Sequence, residues 1–453
     1  MRNAVVAGVL FAASLWSGTV LAENELLDTT FGDGGFRLID SSAGDHHHDT
    51  GIATCPGPGT TEVVIGGQRG TGRITVARLL DDGTLDASFG DAGMTSFEVS
   101  PVDFGENDRT LCLGSGRAVF ARMTFITGHI HLFRIGSDGL PDPAFGGGEV
   151  VIDPAALPGG AANSVFHGMD PAPGGEILLT GGSLLDGGFA ANPFLIRLRA
   201  DGSLRDARVL SDPGLGDRSS LSVAGYGSDG SLMLLGTTRV QLGDRFYART
   251  FSAVLDGVDL SGGVTGFADS APITNLVLGG RMLRPGVLVA AVAHNYGTGP
   301  AGQGYRPRIL VFRRGTAHDG VSHFDPPTPP EWMSRNGHML VATDPSRMLF
   351  ATGLAAPNGG SHSMYYFSQL RIGAVPAEDG VETASGQGGS TIARLEPSGC
   401  APGPDVSQTF HRISLWGDRP VFVGNAEDEC ESEATDVLVG RLSLDRIFDD
   451  GFE

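Results

Sequence analysis

The 453-residue chain contains no lysine, since all 31 basic residues are arginine. Schiff-base catalysis and a phosphate-binding P-loop lysine are therefore excluded. Neither a Gly-x-Ser-x-Gly elbow, a His-Glu-x-x-His pair nor a P-loop occurs, so no hydrolase or NTPase motif is present. Past the first residues, no run reaches the roughly 20 apolar residues that a membrane-spanning helix needs. Positive charge is outweighed: 52 acidic residues leave a formal charge of −21, a field that repels phosphate backbones and anionic lipid. Nucleic acid is not an expected partner. Cysteine is scarce, with four residues and no Cys-x-x-Cys spacing, which argues against a zinc module.

What is abundant is glycine, 70 residues spread between apolar runs, which is turn chemistry repeated many times. With 40% apolar residues the chain can bury a large core. Its start has the charged, apolar and small-residue order of a secretory signal: Arg2, the run from Ala4 to Trp16, then Val20-Leu21-Ala22. Residues 1–22 are expected to be a signal peptide, leaving 24–453 as one domain. No cysteine follows the cleavage point to accept lipid, so a secreted or periplasmic protein without a membrane anchor is expected.

Internal repetition decides the fold class. Leu27-Asp28-Thr29-Thr30-Phe31-Gly32 recurs as Leu85-Asp86-Ala87-Ser88-Phe89-Gly90 and as Pro141-Asp142-Pro143-Ala144-Phe145-Gly146, with a looser copy at Leu444-Asp445-Arg446-Ile447-Phe448. Between these anchors lie paired β-rich runs such as Glu62–Gly67 with Ile74–Leu79, bounded by Asp-Gly turns. Seven such pairs can be counted, the sixth as Met348–Thr352 with Thr391–Leu395. Each unit has room for four strands: one after the anchor, one before the first paired run, and the pair itself. The expected fold is all-β, a seven-bladed β-propeller of four-stranded antiparallel blades, with another β-repeat or solenoid as the alternative. The anchors resemble the Leu-Asp-x-x-Phe-Gly-x-x-Gly signature of the delta-60 repeat family, well at 27–35 and 81–93, fairly at 138–148, and weakly from 200 to 440. That resemblance implies an exported, propeller-like protein without an assigned biochemical activity, and it supplies no catalytic residues.

Residues that recur in every blade belong to the scaffold. Arg78, Arg134, Arg197 and Arg394 each precede a turn glycine by five residues, which suggests a repeated packing or ion-pair role. Unrepeated residues are the better site candidates. Asp45-His46-His47-His48-Asp49 offers imidazole and carboxylate, so His46 and His48 are candidate metal ligands, although adjacent strand residues point to opposite faces. His129 and His131 are better spaced but lack a third ligand. No cofactor is expected, calcium or a transition metal being the alternative.

Four cysteines in an exported chain favour disulfides, with Cys55–Cys112 and Cys400–Cys430 suggested by sequence neighbourhood. A geometric objection stands against the first pair: packed sheets lie about 10 Å apart, further than bridged Cα atoms. Five of six tyrosines, Tyr247, Tyr296, Tyr305, Tyr365 and Tyr366, are assigned to loops joining the paired runs, which would put them on one rim as candidate ligand contacts. The expected function is a monomeric binding or surface-interaction protein for an extracellular or envelope ligand, carbohydrate or protein. The alternatives are a structural envelope or adhesion protein and a propeller enzyme acting on polysaccharide.

Overall fold

The apolar runs pair with their neighbours because Asp-Gly turns between them reverse the chain within a few residues. Asp82 shows how: its carboxylate accepts the N–H and hydroxyl of Thr84, and Gly83 between them takes φ +81°. In the computed structural model the described residues are 27–39, 49–68, 72–99, 108–124, 127–160, 163–185, 190–212, 215, 218–242, 245–267, 275–294, 306–327, 333–355, 364–382, 390–394, 409–417, 419–427 and 435–443.

They form a seven-bladed β-propeller of four-stranded antiparallel blades. Blade I starts with the inner strand Asp49–Pro56 and runs outward through Glu62–Gln68 and Arg73–Leu79 to Met94–Glu98. The inner strands of blades II to VII are Arg109–Gly114, Asn163–Pro171, Arg218–Tyr226, Asn275–Arg284, Met333–Asp344 and Thr409–Trp416. Blade VII takes its outer strand from the other end of the chain: Phe36–Ile39 pairs antiparallel with Thr435–Arg441. That pairing closes the ring. Described helix is confined to four short 3-10 turns, and no helix is long and apolar enough to cross a membrane.

Two details of the expected unit are corrected. The strand after each Phe-Gly anchor is the outer edge of the preceding blade, not the start of the next, because it hydrogen-bonds back onto the paired run before it. In blade VI the third strand is Met364–Arg371, while Ser390–Arg394 pairs with it as part of the outer strand. Arg394 is therefore not in the repeated arginine position. By sequence Arg371 is, since Leu370-Arg371-Ile372-Gly373 follows the pattern of Phe133-Arg134-Ile135-Gly136. The looser anchor copy at 444–452 lies outside the described residues.

Hydrophobic core fills the wedges between blades. Val119 and Leu132 of blade II, for example, share one cluster with Leu179 and Ile196 of blade III. The anchor accounts for the outer part of three wedges. Its Asp caps its own turn, as where Asp86 Oδ1 accepts the N–H and hydroxyl of Ser88, and its second oxygen accepts Nε of the third-strand arginine at 2.8 Å. The anchor phenylalanines Phe31, Phe89 and Phe145 are buried. Arg441, Arg78 and Arg134 lie over their rings, 4.8, 4.7 and 5.2 Å from the centroids.

The next blade closes over the same ring. Gly83 and Gly139 pack so tightly that a Cβ would come within 3.0 Å of Phe31 and 2.4 Å of Phe89. The guanidinium groups also reach the next blade, Arg134 to the Ala200 carbonyl and Arg441 to that of Asp81. The repeated arginine is thus a latch between blades.

Candidate functional site

Contacts between blades that are not neighbours in the ring must cross its axis, and these locate a polar cluster there. Arg412 of blade VII donates to the Asp108 carbonyl of blade II at 2.8 Å, passing blade I. Arg109 donates to the same carbonyl at 2.9 Å and, through Nε, to the His167 carbonyl of blade III at 2.6 Å. Arg281 of blade V interacts electrostatically with Asp170 of blade III, passing blade IV. Arg122 lies 3.9 Å from the Asp108 carboxylate.

Backbone irregularity aims these groups. The inner strand of blade III bulges between Phe166 and Gly168, and that of blade VII between Phe410 and Arg412. A bulge inserts one residue and turns the following side chains relative to the regular alternation. Register then puts Arg109, opposite Ala121, and Arg412, opposite Val423, at one height, each four positions beyond the first residue of the second strand. Asp170 and Arg281 pair closer to the inner-to-second-strand turns.

Burial works against the charged form of Asp170, His167, Arg281 and Arg412. Burial raises Asp170 to about 7, against the opposing pull of the Ala224 N–H, which donates to it at 3.0 Å, and of Arg281 and Arg109. Burial and the neighbouring Arg109 hold His167 down to about 4, so it is neutral at physiological pH. Desolvation pulls Arg281 and Arg412 below the ordinary arginine value, against the attraction of Asp170 and Asp108 respectively. Arg281 nonetheless keeps solvent contact along the axis. Clustered titratable groups with a desolvated charge are what binding and catalytic sites have in common.

A second buried carboxyl lies at the seam between blades VII and I. Glu62 is fully buried, and burial raises it to about 8 against the Ser414 and Thr54 hydroxyls. Ser414 contacts Glu62 Oε1 at 3.2 Å and also hydrogen-bonds Thr54.

Of the residues singled out from sequence, Cys55 and Cys112 are joined as a disulfide with Cα atoms 5.4 Å apart. The geometric objection fails because both cysteines are on inner strands, where the wedge between blades narrows toward the axis. Cys400 and Cys430 lie outside the described residues.

The tyrosine rim is not supported. Tyr365 and Tyr366 belong to the third strand of blade VI rather than to a loop. Their rings are buried in two different clusters, on opposite faces of the sheet. Aromatic residues are good strand formers on a half-buried pleated surface, and the run Met364–Leu370 is such a surface. Tyr247 is on the third strand of blade IV and half-buried. Tyr296 and Tyr305, like His46 and His48, lie outside the described residues.

His131 Nδ1 lies 2.7 Å from Glu149, and His129 Nε2 3.9 Å from Asp153. Among the described residues no group of three or more metal-ligating side chains converges. Sequence reasoning missed the axial cluster because its members are dispersed over four blades. The available signal was the odd polar residue in inner strands, such as Arg281 within Asn275–Arg284.

A family model described as "Domain of unknown function (DUF5122) beta-propeller" matches residues 62–89, which span the second and third strands of blade I and the anchor Phe89. No curated protein matches the sequence. Similar solved structures include the polysaccharide lyase Uly1, with TM-score 0.42 and 10% identity over 90% of this chain and 92% of that one. A sialidase of Trypanosoma rangeli in complex with the inhibitor DANA has TM-score 0.44 and 10% identity, covering 80% and 57%. A thermostable family-43 glycoside hydrolase has TM-score 0.37 and 10% identity, covering 66% and 95%. At these scores the likeness carries no statement about ligand or reaction.

Proposed function

We propose that this chain is an exported β-propeller binding protein of the delta-60 repeat type, and that it takes an acidic ligand, of the carboxylated-saccharide class, on the propeller axis. The observation that carries the reading is the convergence of Arg109, Arg281 and Arg412 from blades II, V and VII. Planar guanidinium groups match carboxylate geometry and form charge-assisted, bidentate pairs. Among the described residues Asp108 and Asp170 are the carboxylates facing them, and burial keeps Asp170 incompletely ionised near neutral pH. The net charge of −21 opposes an anion at long range. Salt screens that field beyond about 8 Å at physiological ionic strength, whereas the axial arginines act at contact distance.

The disulfide fits an oxidising compartment, which supports export. The test is equilibrium binding of oligogalacturonate against a neutral oligosaccharide of equal length, with the Arg281→Ala variant alongside. Retention of the acidic oligomer alone, weakened about tenfold or more by Arg281→Ala, is the expected result; charge-assisted hydrogen bonds are of that size. Equal retention of both oligomers, or of neither, removes the reading. Asp170 favours one second reading, a propeller enzyme, since a carboxyl that titrates near 7 suits general-acid chemistry. Turnover of the acidic oligomer, lost in Asp170→Asn, is the result that distinguishes it.

A further inference from the structure

Among the described residues, the wedge between blades IV and V is open. A cavity of ≈ 380 Å³ lies between blades IV and V, lined on one side by Ser252, Val254 and Thr265–Phe267 and on the other by Phe312–Arg314 and Asp319–Val321. The repeat explains its position.

In the wedges VII/I, I/II and II/III this outer space is filled by Phe31, Phe89 and Phe145, each under the arginine of its own third strand. The receiving wall is always the pair of residues flanking the next blade's arginine. Phe31 clusters with Ala77 and Leu79, Phe89 with Phe133 and Ile135, and Phe145 with Ile196 and Leu198. Around Arg313 of blade V the equivalent pair is Phe312 and Arg314, and both line the cavity. Blade IV alone departs at the arginine position: register sets Val254 opposite Met233, as Arg197 is set opposite Leu178. Its third and outer strands are joined by the short segment Asp256–Ser261, which contains no phenylalanine. Ring and guanidinium are both missing, and the vacated volume is the cavity.

The chain has one more anchor than the filled wedges account for. Leu444-Asp445-Arg446-Ile447-Phe448 repeats the pattern, while the wedge beside blade VII, to which that segment is attached, is already filled by Phe31. From Leu442 the segment would have to pass the outer edges of blades VI and V to reach the cavity in its own ring. We propose that the IV/V wedge receives the anchor segment 444–452 of a second copy of this chain, with the Phe448 ring in the cavity and Asp445 toward the half-exposed Arg314, where it competes with the Asp229 and Asp319 carboxylates. The contact is heterologous: wedge and segment are different surfaces, so copies join head to tail. This departs from the monomer expected on sequence grounds and is independent of the axial ligand.

The test uses the full chain and a synthetic peptide of residues 444–453. A Phe448→Ala chain, whose own segment cannot compete, should bind the labelled peptide. Binding should be lost when the peptide carries Phe448→Ala, or when the receiving chain also carries Val254→Arg or Val254→Phe, either of which fills the wedge. Sedimentation velocity of the wild-type chain should show concentration-dependent association that Phe448→Ala removes. Peptide binding combined with a single, concentration-independent species would place the segment within its own ring and overturn the second-copy assignment. Absence of peptide binding, or binding indifferent to both Val254 variants with unchanged melting profiles, overturns the site itself. The peptide variant requires no folding, so a variant that fails to fold leaves that comparison intact.

Discussion

Arg441 and Asp28 are 413 residues apart in sequence, and their side chains meet at 3.0 Å. This is the anchor latch that elsewhere joins Arg78 to Asp86 over eight residues, here closing the ring between the two ends of the fold. Arg441 is buried, packed between Phe31 and Trp416, and also reaches the carbonyl and carboxylate of Asp81 in blade I.

Arg441→Ala is therefore expected to destabilise the fold by about 3–5 kcal/mol, the cost of breaking a buried pair from one side. Arg134→Ala, at a more exposed copy of the latch, should cost less. Urea denaturation of both variants checks the order, and equal losses would mean that closure of the ring adds nothing to the latch.

Reduction of Cys55–Cys112 should lower stability without opening the ring, because the blades remain joined by core and latch. The expected loss is about 2–5 kcal/mol, measured as a shift in the denaturation midpoint of a Cys55→Ala/Cys112→Ala variant. Unreduced peptide mapping should recover the two cysteines in one cross-linked fragment.

Stability should depend on pH through Glu62 in a defined direction. Its native value near 8 exceeds the usual 4.5, so between these limits the folded chain holds a proton that the unfolded chain has lost. Stability is then greatest below about 4.5 as far as Glu62 alone is concerned, and falls as pH rises toward 8, at up to about 1.4 kcal/mol per pH unit. Asp170 acts in the same direction up to about 7. His167 acts oppositely: its native value near 4 lies below 6.5, so its contribution is lost as pH falls through that interval. Glu62→Gln should flatten the alkaline slope, and an unchanged slope in thermal melts across pH 5 to 8 would remove the assignment.

Tyr366→Ala is expected to cost about 3–5 kcal/mol, the loss typical of a large aromatic in a core. Ligand retention, scaled to the folded fraction, should not change. Tyr366 is fully buried and its ring sits 6.1 Å from that of Phe350.

Blade number, the paired runs of six blades and the scaffold role of Arg78, Arg134 and Arg197 were legible because each pattern is written several times in the chain. The phase of the repeat was not, since an outer strand such as Met94–Glu98 lies between two inner partners in sequence and only hydrogen bonding assigns it. Tyr365 and Tyr366 were misplaced because blade VI carries a divided outer strand, which stretches its spacing beyond that of the other units. The axial cluster was illegible for a different reason. Arg412 meets Asp108, and Arg281 senses Asp170, across a ring whose curvature no local pattern encodes.

The composition of blade VII sets an order of events. Phe36–Ile39 is synthesised before any other described strand, yet its partner Thr435–Arg441 comes last. While blades I to VI assemble, this early strand is an unpaired edge, and only its return to the finished chain turns an open fan into a hoop. The molecule therefore completes blade VII only when its two ends meet, and a cut that releases the segment before blade I would leave that blade three-stranded, with Thr435–Arg441 as a bare sheet edge.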